Sequence, residues 1–585
     1  MGSIWLGGRY PDRGESSVTD NVIAHDKPAG TPEREEFARQ STSPLAIAAV
    51  LVPAIALAAC SGGGGTTGTS TPAPTPAPTS SAITKTQASR FLAQATMGAT
   101  DTVIADVQAK SFDGWLTAQF ALTRATSHWD WLVAQGFSAS TYINAETGFD
   151  PTMWRQLIVE PDQLRQRVGL ALSEIMVVGI AGINLNWKQF AGAAYMDVLL
   201  DNAFGNFRTL MDAITTNAAM ASYLTFLGNR KANAATGAVP DENYARELMQ
   251  LFTLGLYQLN MDGTNKLSGG NPVETYVQAD VTGLARVFTG LSLTNSTSST
   301  PDRYRLPLIM NASINETGSA SFLGATTSGG GMAAVKTALD TIFAHANVPP
   351  FISKQLIQKL VTSNPSPAYV SRVAAIFADN GSGVRGDMKA VIRAVLLDTE
   401  ARGDAALTST TAGKLREPIT RLTGWARAFG ATSPSNAWAF GDTSSSSTRL
   451  AESPGRSSSV FNFFRPGYSP PNTAISSAGL LAPEFQITNE LSVVAYVNYL
   501  QTLIASGAGD TKGDYTAIVA LANDSQALID QVNLLVASGQ LSSATVAAIK
   551  AAIESISFSG TNGPGNRVGT AILLTMASPD YLTLK

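Results

Sequence analysis

Apolar side chains recur with the period of an α-helix through most of the chain from about residue 84 onward. Phe91 and Leu92 belong to one such stripe, and Leu164, Val168 and Leu172 form another. Spacings of three and four residues place these side chains on one helix face and leave the other face polar. Strand signals are few and short, and no repeat of fixed period is present. The pattern therefore predicts a mainly α fold, a multi-helix globular domain or domains with few short strands.

Local side-chain chemistry predicts where several helices begin and end. Asp101, Asp280 and Ser366 each precede a helical pattern. A side-chain oxygen at such a position can accept a hydrogen bond from a free N–H of the first turn. The pair Pro349 and Pro350 predicts the end of the amphipathic helix before it, because proline disrupts a helix interior.

An uncharged segment, residues 44–59, ends directly before Cys60, the only cysteine in the chain. The run contains Pro53 and is shorter than the ~20 residues that a membrane-spanning helix needs. Small residues before this cysteine resemble the lipobox of bacterial lipoproteins. We therefore expect residues 1–59 to be a signal peptide, with the start codon assigned too far upstream, and Cys60 to be lipidated. The alternatives are an ordinary signal peptide or a short core helix with an incidental cysteine.

Residues 60–83 are rich in glycine, serine, threonine and proline and end in an Ala-Pro-Thr repeat. Such a segment cannot bury a core and is typical of a disordered spacer. We expect it to tether a helical domain, residues 84–585, to a lipid surface of the cell envelope. Ser61 after the cysteine, in place of aspartate, favours the outer membrane of a Gram-negative bacterium. Interruptions of the helical pattern at 403–412 and 505–514 are candidate internal boundaries.

The charge and the scarcity of metal-binding residues exclude several classes of protein. The 40 basic residues face 44 acidic ones, so the basic excess of a nucleic-acid-binding protein is missing. One cysteine and three histidines exclude disulfide scaffolds, zinc fingers and iron–sulfur proteins. Of the histidines outside the leader, His128 and His345, neither is accompanied by a nucleophile-elbow motif. The sequence predicts no cofactor, no metal site and no nucleic-acid partner.

The densest motif is residues 241–255, which read DENYARELMQLFTLG. On a helix, Tyr244 and Leu248 face one side and the charged residues face the other. A second segment, residues 279–290, follows with the sequence ADVTGLARVFTG. These two segments, in this order, strongly resemble the bacterial DUF1800 family, a domain of unknown function. Further blocks similar to the family are residues 88–98, 202–210, 217–224, 345–367, 459–471 and 576–582.

The resemblance covers nearly all of residues 84–585 and implies a largely helical, exported bacterial protein. No reaction is established for the family, and no set of catalytic residues is agreed. Genes of this family often neighbour a gene for a DUF1501 protein, which is itself exported and resembles sulfatases and alkaline phosphatases. The resemblance therefore implies a DUF1501-like exported protein as a partner.

Three positions depart from the family pattern. Asn315 and Ala320 stand where family members often carry a histidine and a lysine, and Leu291 stands where many carry tryptophan. If the histidine and lysine are chemical in the family, this chain has lost that chemistry. If they are structural, the replacement is tolerable.

Carboxylates are the remaining candidates for catalysis. Glu242, Glu247 and Asp280 are weak candidates for a general acid/base set or a site for a hard cation. The alternative is a polar seam between two helices, in which charge-assisted hydrogen bonds fix the helix register. The polar residues that would neutralise the carboxylates in such a seam are Asn243, Arg246 and Arg286.

A loop bounded by proline and glycine concentrates aromatic side chains. Exposed rings could stack on sugars or anchor a partner. The alternative is a loop held over the core by its own rings. The residues concerned are Phe461, Phe463, Phe464, Arg465 and Tyr468.

Two hypotheses about function follow. The first is a lipid-anchored binding or scaffold protein that partners another exported protein. The second is an envelope hydrolase that acts on polysaccharide or another polymer through the carboxylates. An enzyme needs a cleft with at least two carboxylates of perturbed pKa, whereas a scaffold needs an exposed apolar or aromatic patch. The sequence leaves open whether the protein is an enzyme.

Overall fold

A computed structural model of the protein describes residues 82–295 and 297–585. The described part contains 24 α-helices, and its strands form only two-stranded antiparallel pairs. The prediction of a mainly α fold with few short strands is therefore confirmed. The signal peptide, Cys60 and most of the linker lie outside the described residues, and the two internal boundaries stay predictions. Within the described part, none of the helices is long and apolar enough to cross a bilayer.

The first group of helices surrounds α6, which is buried on nearly all sides. Its sequence is apolar around most of its circumference, as expected of a helix enclosed by others. Gly192 lets it approach its neighbour, because a Cβ there would lie 2.7 Å from the Phe149 ring. The helices of this group are α1 (Lys85–Ala95), α2 (Asp101–Ala121), α3 (His128–Ala134), α4 (Phe149–Val159), α5 (Gln163–Ile175), α6 (Lys188–Asn202), α7 (Phe207–Thr215) and α8 (Ala218–Tyr223).

The middle group is built around α12, which packs against α5, α13 and α14. Its helices are α9 (Asn243–Gln250), α10 (Gln278–Val287), α11 (Gly331–Ala344), α12 (Val348–Leu360), α13 (Pro367–Ala378), α14 (Met388–Leu397), α15 (Thr399–Arg402) and α16 (Ala405–Thr408). Three hairpins join them, formed by β1 (Leu267–Ser268) with β2 (Asn271–Pro272), β3 (Leu291–Ser292) with β4 (Ile309–Met310), and β5 (Ala320–Phe322) with β6 (Ala325–Thr327).

The last group packs around α23, and α1 contacts it through α21. The group comprises β7 (Lys414–Leu415), α17 (Pro418–Ala428), α18 (Ala474–Ser477), α19 (Glu490–Ser506), α20 (Thr516–Val519), α21 (Ser525–Ala537), α22 (Ser543–Glu554), α23 (Gly563–Ala577), α24 (Pro579–Leu582) and β8 (Thr583–Leu584). The chain end pairs with the middle of the sequence, because β8 is hydrogen-bonded to β7. One continuous apolar core connects the three groups.

Some predicted helix ends are confirmed and others are wrong. The Ser366 side chain accepts a hydrogen bond of 3.1 Å from a backbone N–H of α13, as predicted. The prediction for Asp101 is wrong, because Thr100 caps α2 with a bond of 3.2 Å. Pro349 and Pro350 begin α12 and do not end α11. Proline fits the first turn of a helix, where its missing N–H would have no partner in any case.

The contact between α10 and β5 depends on a glycine. A Cβ at Gly283 would lie 1.8 Å from the backbone oxygen of Ser321. We expect Gly283→Ala to push the two backbones apart and to lower the free energy of unfolding by about 1–3 kcal/mol. Gly565 in α23 has open space around it. Gly565→Ala should therefore leave the free energy unchanged or raise it by up to ~1 kcal/mol. Urea unfolding followed by circular dichroism measures both, and equal stability of the two variants would contradict this contact.

Candidate functional site

The predicted carboxylate Glu242 links two helices. It lies directly before α9, and its oxygens accept hydrogen bonds from Arg246 at 3.1 Å and from Gln278 at 2.8 Å. Thr282 of α10 donates a third at 2.7 Å. These contacts occupy both carboxylate oxygens and fix the register of α9 against α10. They match the interhelical seam more closely than a catalytic acid.

Asp280 fixes the start of α10 from inside the first turn. The prediction that it stands at the N-cap is wrong, because Val277 occupies that position. Valine has no side-chain acceptor, and Asp280 compensates by accepting the backbone N–H of Val277 at 2.9 Å. Its other oxygen accepts the N–H of Leu323 at 2.7 Å, which ties α10 to the β5–β6 hairpin.

The remaining members of the predicted cluster have separate surroundings. Glu247 is buried, and burial raises its pKa although Arg246 lies nearby. Arg286 pairs with Glu316 at 3.5 Å and makes no ion pair with the three predicted carboxylates. Asn243 reaches a threonine hydroxyl at 3.5 Å. Each of these side chains therefore has its own structural partners or its own buried surroundings.

The positions that depart from the family pattern lie in packed interior. Asn315 is buried, donates to the backbone oxygen of Thr289 at 2.8 Å and accepts the N–H of Gly331 at 2.8 Å. It thereby joins the loop after α10 to the start of α11. Ala320 on β5 and Leu291 on β3 are also buried. In this chain the three residues serve packing.

Neither described histidine is placed as a catalytic base. His128 is buried at the start of α3, with its Nδ1 3.2 Å from the Thr152 hydroxyl. Burial, together with the charges of Arg124 and Arg155, lowers its pKa to about 3. His345 ends α11, and its ring accepts a backbone N–H at 3.1 Å.

A groove of about 750 Å³ opens beside α12. One wall is a hairpin arm, residues 256–276, in which β1 pairs with β2. The other wall is the aromatic loop, residues 459–471. Among the described residues that line the groove, none is an aspartate, glutamate, histidine or cysteine. The lining is aliphatic and aromatic (Leu251, Leu256, Tyr257, Leu259, Phe351, Phe461, Tyr468, Leu481), with amides (Gln250, Asn265, Gln355, Gln358, Gln486) and two cations (Lys354, Arg465).

The aromatic loop has an inner and an outer side. Phe464 is 2% exposed and lies over the ammonium of Lys359, 4.4 Å from ring centre to Nζ. This ring fixes the loop to α12. Phe461 and Tyr468 are half-buried and line the groove, and the Arg465 guanidinium stacks on Phe461 at 4.7 Å. The half-buried Phe463 does not line the groove.

One buried side chain holds the hairpin arm in place. Asn347, at the N-cap of α12, donates to the backbone oxygens of Leu254 at 3.0 Å and Tyr257 at 2.8 Å. Its own oxygen accepts the N–H of Leu259 at 2.9 Å. The arm still exposes 51% of Leu256 and 42% of Tyr257. Both walls of the groove are thus fixed by buried side chains, and its rim is apolar.

Sequence analysis missed a buried group of charges behind the groove, here called the charge cluster. Lys359 of α12 pairs with Glu174 of α5 at 2.8 Å. Lys414 of β7 pairs with Glu417 at 2.5 Å and with Glu484 at 3.1 Å. The cluster also contains Arg167 and Glu452, and all seven side chains are buried: Arg167, Glu174, Lys359, Lys414, Glu417, Glu452 and Glu484.

The carboxyl groups of the charge cluster differ in the direction in which their surroundings shift the pKa. Burial and the neighbouring Glu417 raise the pKa of Glu174 to about 7. Burial, Glu417 and Glu174 also raise the pKa of Glu452 well above its ordinary value. Burial acts in the same direction on Glu417, but the charges of Lys414 and Lys359 outweigh it and lower that pKa to about 2. Burial thus favours the protonated form of Glu452, whereas the two lysines favour the ionised form of Glu417.

Three of these carboxyl groups are the described residues best placed for a metal. One oxygen each of Glu174, Glu417 and Glu452 lies within 4.8 Å of the others. The ammonium groups of Lys359 and Lys414 already supply the positive charge that a cation would bring. These carboxyl groups therefore belong to an ion-pair network, in which one or more oxygens of each of the three have no hydrogen-bond partner among the described residues.

Comparison with known proteins identifies a family and no characterised relative. A family model described as "Protein of unknown function (DUF1800)" matches residues 90–583. No curated protein and no solved structure matches the chain. The matched region includes the groove, the hairpin arm and the charge cluster.

The charge cluster predicts a large effect for one glutamate substitution and a small effect for another. Glu417→Gln should lower the free energy of unfolding at pH 7 by about 3–5 kcal/mol, because it leaves a buried lysine underpaired. Glu452→Gln, which mimics a neutral acid, should change it by less than about 1 kcal/mol. The contribution of Glu417 is present above its unfolded pKa of 4.5 and is lost toward pH 2.

Urea unfolding between pH 3 and pH 8 measures both effects. The difference in free energy of unfolding between the parent and Glu417→Gln should narrow as the pH falls. The reason is that the Glu417 carboxylate of the parent also becomes protonated. A larger loss for Glu452→Gln than for Glu417→Gln at pH 7 would contradict the assigned protonation states.

Proposed function

We propose that this chain, which belongs to the DUF1800 family, is a binding or scaffold protein that holds an exported partner in the groove. The observation that carries the proposal is a pre-formed groove with an aromatic rim and, among the described residues, no lining carboxylate. Glycoside hydrolysis requires two carboxylates that flank the scissile bond. Of the carboxylates predicted from the sequence, Glu242 and Asp280 are occupied by helix contacts and Glu247 does not line the groove. This placement favours binding over the hydrolase alternative.

The rim has the composition of a protein-binding surface. Aromatic rings and arginine are enriched among the residues that dominate binding energy at interfaces. Phe461, Arg465 and Tyr468 supply them on one wall, and Tyr257 and Leu256 supply exposed apolar area on the other. An exposed apolar patch beside a concavity is typical of an interaction site.

Rigid walls further support the proposal. Asn347 fixes the hairpin arm with three hydrogen bonds, and Phe464 fixes the aromatic loop over Lys359. A groove ordered before binding loses less conformational entropy when the partner arrives. Both anchors are buried, so they set the groove without contacting a partner.

The proposed cellular setting is the bacterial envelope. Lipidation of Cys60 would attach the protein to the outer membrane, and residues 60–83 would separate the helical domain from the lipid. The partner proposed is a DUF1501-like exported protein, in line with the gene neighbourhood of the family. In this arrangement the groove faces a protein held at the same surface.

Substitutions in the groove test the proposal. The double variant Phe461→Ala/Tyr468→Ala should weaken binding to the purified DUF1501-like protein of the same bacterium at least roughly thirtyfold, a loss of about 2 kcal/mol. The matched control is Phe558→Ala, which removes a 41% exposed ring that does not line the groove. Biolayer interferometry measures both, and the control should bind like the parent.

Two outcomes would overturn the proposal. One is a parent chain that shows no affinity for the partner. The other is a double variant that binds as tightly as Phe558→Ala does. Circular dichroism of each variant shows whether the fold is retained.

The anchor is tested separately in the cell. Cys60→Ser should abolish incorporation of labelled palmitate and release the protein from the membrane fraction, because the thiol that carries the lipid is gone. Ser61→Ala is the control and should retain both. Equal labelling of Cys60→Ser and the parent would contradict lipidation at this residue.

A further inference from the structure

The described residues that line the groove carry positive charge and no negative charge. Its only charged lining residues within the described part are Lys354 and Arg465, although the whole chain carries a net charge of -4. A concave surface lined by charge of one sign concentrates ligands of the opposite sign. The groove is therefore electrostatically suited to an anion, in contrast to the chain as a whole.

Lys354 is a half-buried cation that makes no ion pair with the described residues. Burial lowers its pKa, and its hydrogen bond is to the backbone oxygen of Gly263 at 3.5 Å. The nearest acid that acts on it is Asp262, whose carboxylate already accepts two hydrogen bonds from Thr264 at 3.0 and 2.6 Å. Partial burial of a charge is unfavourable unless the charge is paired. A carboxylate bound in the groove would therefore stabilise the ammonium group of this lysine.

Arg465 stands across the groove with its guanidinium available. Stacking on Phe461 orients the plane of the group, and its backbone N–H is fixed by the Gln486 side-chain oxygen at 2.8 Å. The side chain makes no ion pair or hydrogen bond with the described residues. A stacked guanidinium keeps its N–H edge free for bidentate contact with a carboxylate.

The amide side chains that line the groove differ in which of their polar atoms have a hydrogen-bond partner. The Gln355 side-chain nitrogen is buried and has no hydrogen-bond partner among the described residues. By contrast, the oxygen of Gln250 accepts from Tyr276 at 3.2 Å, and that of Gln486 accepts from Arg465. Lys354 and Arg465 are thus left without an anionic partner among the described residues, and a ligand with a carboxylate would pair with them.

We infer that the groove binds an acidic polypeptide segment in which a carboxylate side chain adjoins an apolar one. This inference rests on the proposed function and names the chemistry of the partner's segment. Lys354 and Arg465 receive the carboxylate, while the leucine and aromatic lining receives the apolar side chain. A neutral saccharide fits less well, because its hydroxyls would leave the charges of Lys354 and Arg465 unpaired.

Short labelled peptides test the inference on the full chain. The probe is a capped peptide that alternates aspartate with leucine and phenylalanine, and its control has asparagine at each aspartate. Fluorescence anisotropy should show the aspartate peptide binding at least roughly tenfold more tightly. The difference should shrink as ionic strength rises from about 0.05 to 0.5 M, because salt screens the exposed charges.

Substitutions at Lys354 and Arg465 test whether these two cations contact the aspartates of the peptide. Lys354→Met and Arg465→Gln should each weaken the aspartate peptide roughly tenfold and leave the asparagine peptide unchanged. Lys550→Gln removes a positive charge on α22, away from the groove, and should leave both peptides unchanged. Lys354→Arg, which keeps the charge, should retain most of the affinity.

The remaining outcomes separate this inference from the proposed function. If both peptides bind equally and the charge variants have no effect, the inference fails, while the effect of Phe461→Ala/Tyr468→Ala on the partner protein would still support the groove. If polygalacturonate binds with the same dependence on Lys354 and Arg465 while the peptides do not, the occupant is an acidic saccharide and the inference is overturned. If neither the peptides nor the partner protein bind, both proposals fail.

Discussion

The ion pairs of Lys359 and Lys414 join the parts of the fold on which the groove depends. Lys359 connects α12 to α5 through Glu174, and Lys414 connects β7 to the residues before α17 and to Glu484. The backbone oxygen of Lys359 also accepts hydrogen bonds from Arg167 and Lys414, which hold the end of α12. Buried charges are unfavourable unless they are paired, so these elements must keep their positions together.

The shape of the groove depends on the elements that this ion-pair network holds together. Phe464 covers Lys359, and the same helix α12 presents Gln355 and Gln358 to the groove. Glu484 and Gln486 lie on one short 3₁₀ helix, so one residue enters the charge cluster while the other lines the groove. Surfaces built on fixed elements bind with less loss of conformational entropy than mobile loops do. The internal ion pairs and the groove are therefore built on the same elements.

The carboxyl groups predicted from the sequence and those of the charge cluster do not line the groove. Glu242 and Asp280 accept hydrogen bonds from α10 and the β5–β6 hairpin, and the glutamates of the charge cluster are buried and do not line the groove. The groove in front of them keeps cations and amides. Acid and base groups contribute to catalysis only within hydrogen-bond reach of the reacting atoms. In this fold the carboxyl groups of the charge cluster form buried ion pairs, and the cations Lys354 and Arg465 line the groove.

The sequence by itself determined the helical class, the cap at Ser366 and the resemblance to the DUF1800 family, because periodicity and capping are local properties of a few neighbouring residues. It also singled out the loop that contains Phe461 and Tyr468, through its density of rings. Only the tertiary structure decided that Phe464 faces inward, that Asp280 acts from inside its helix, and that the charge cluster exists at all. Its charges come from segments far apart in the chain, and the pairing of buried charges depends on distances that no local pattern encodes.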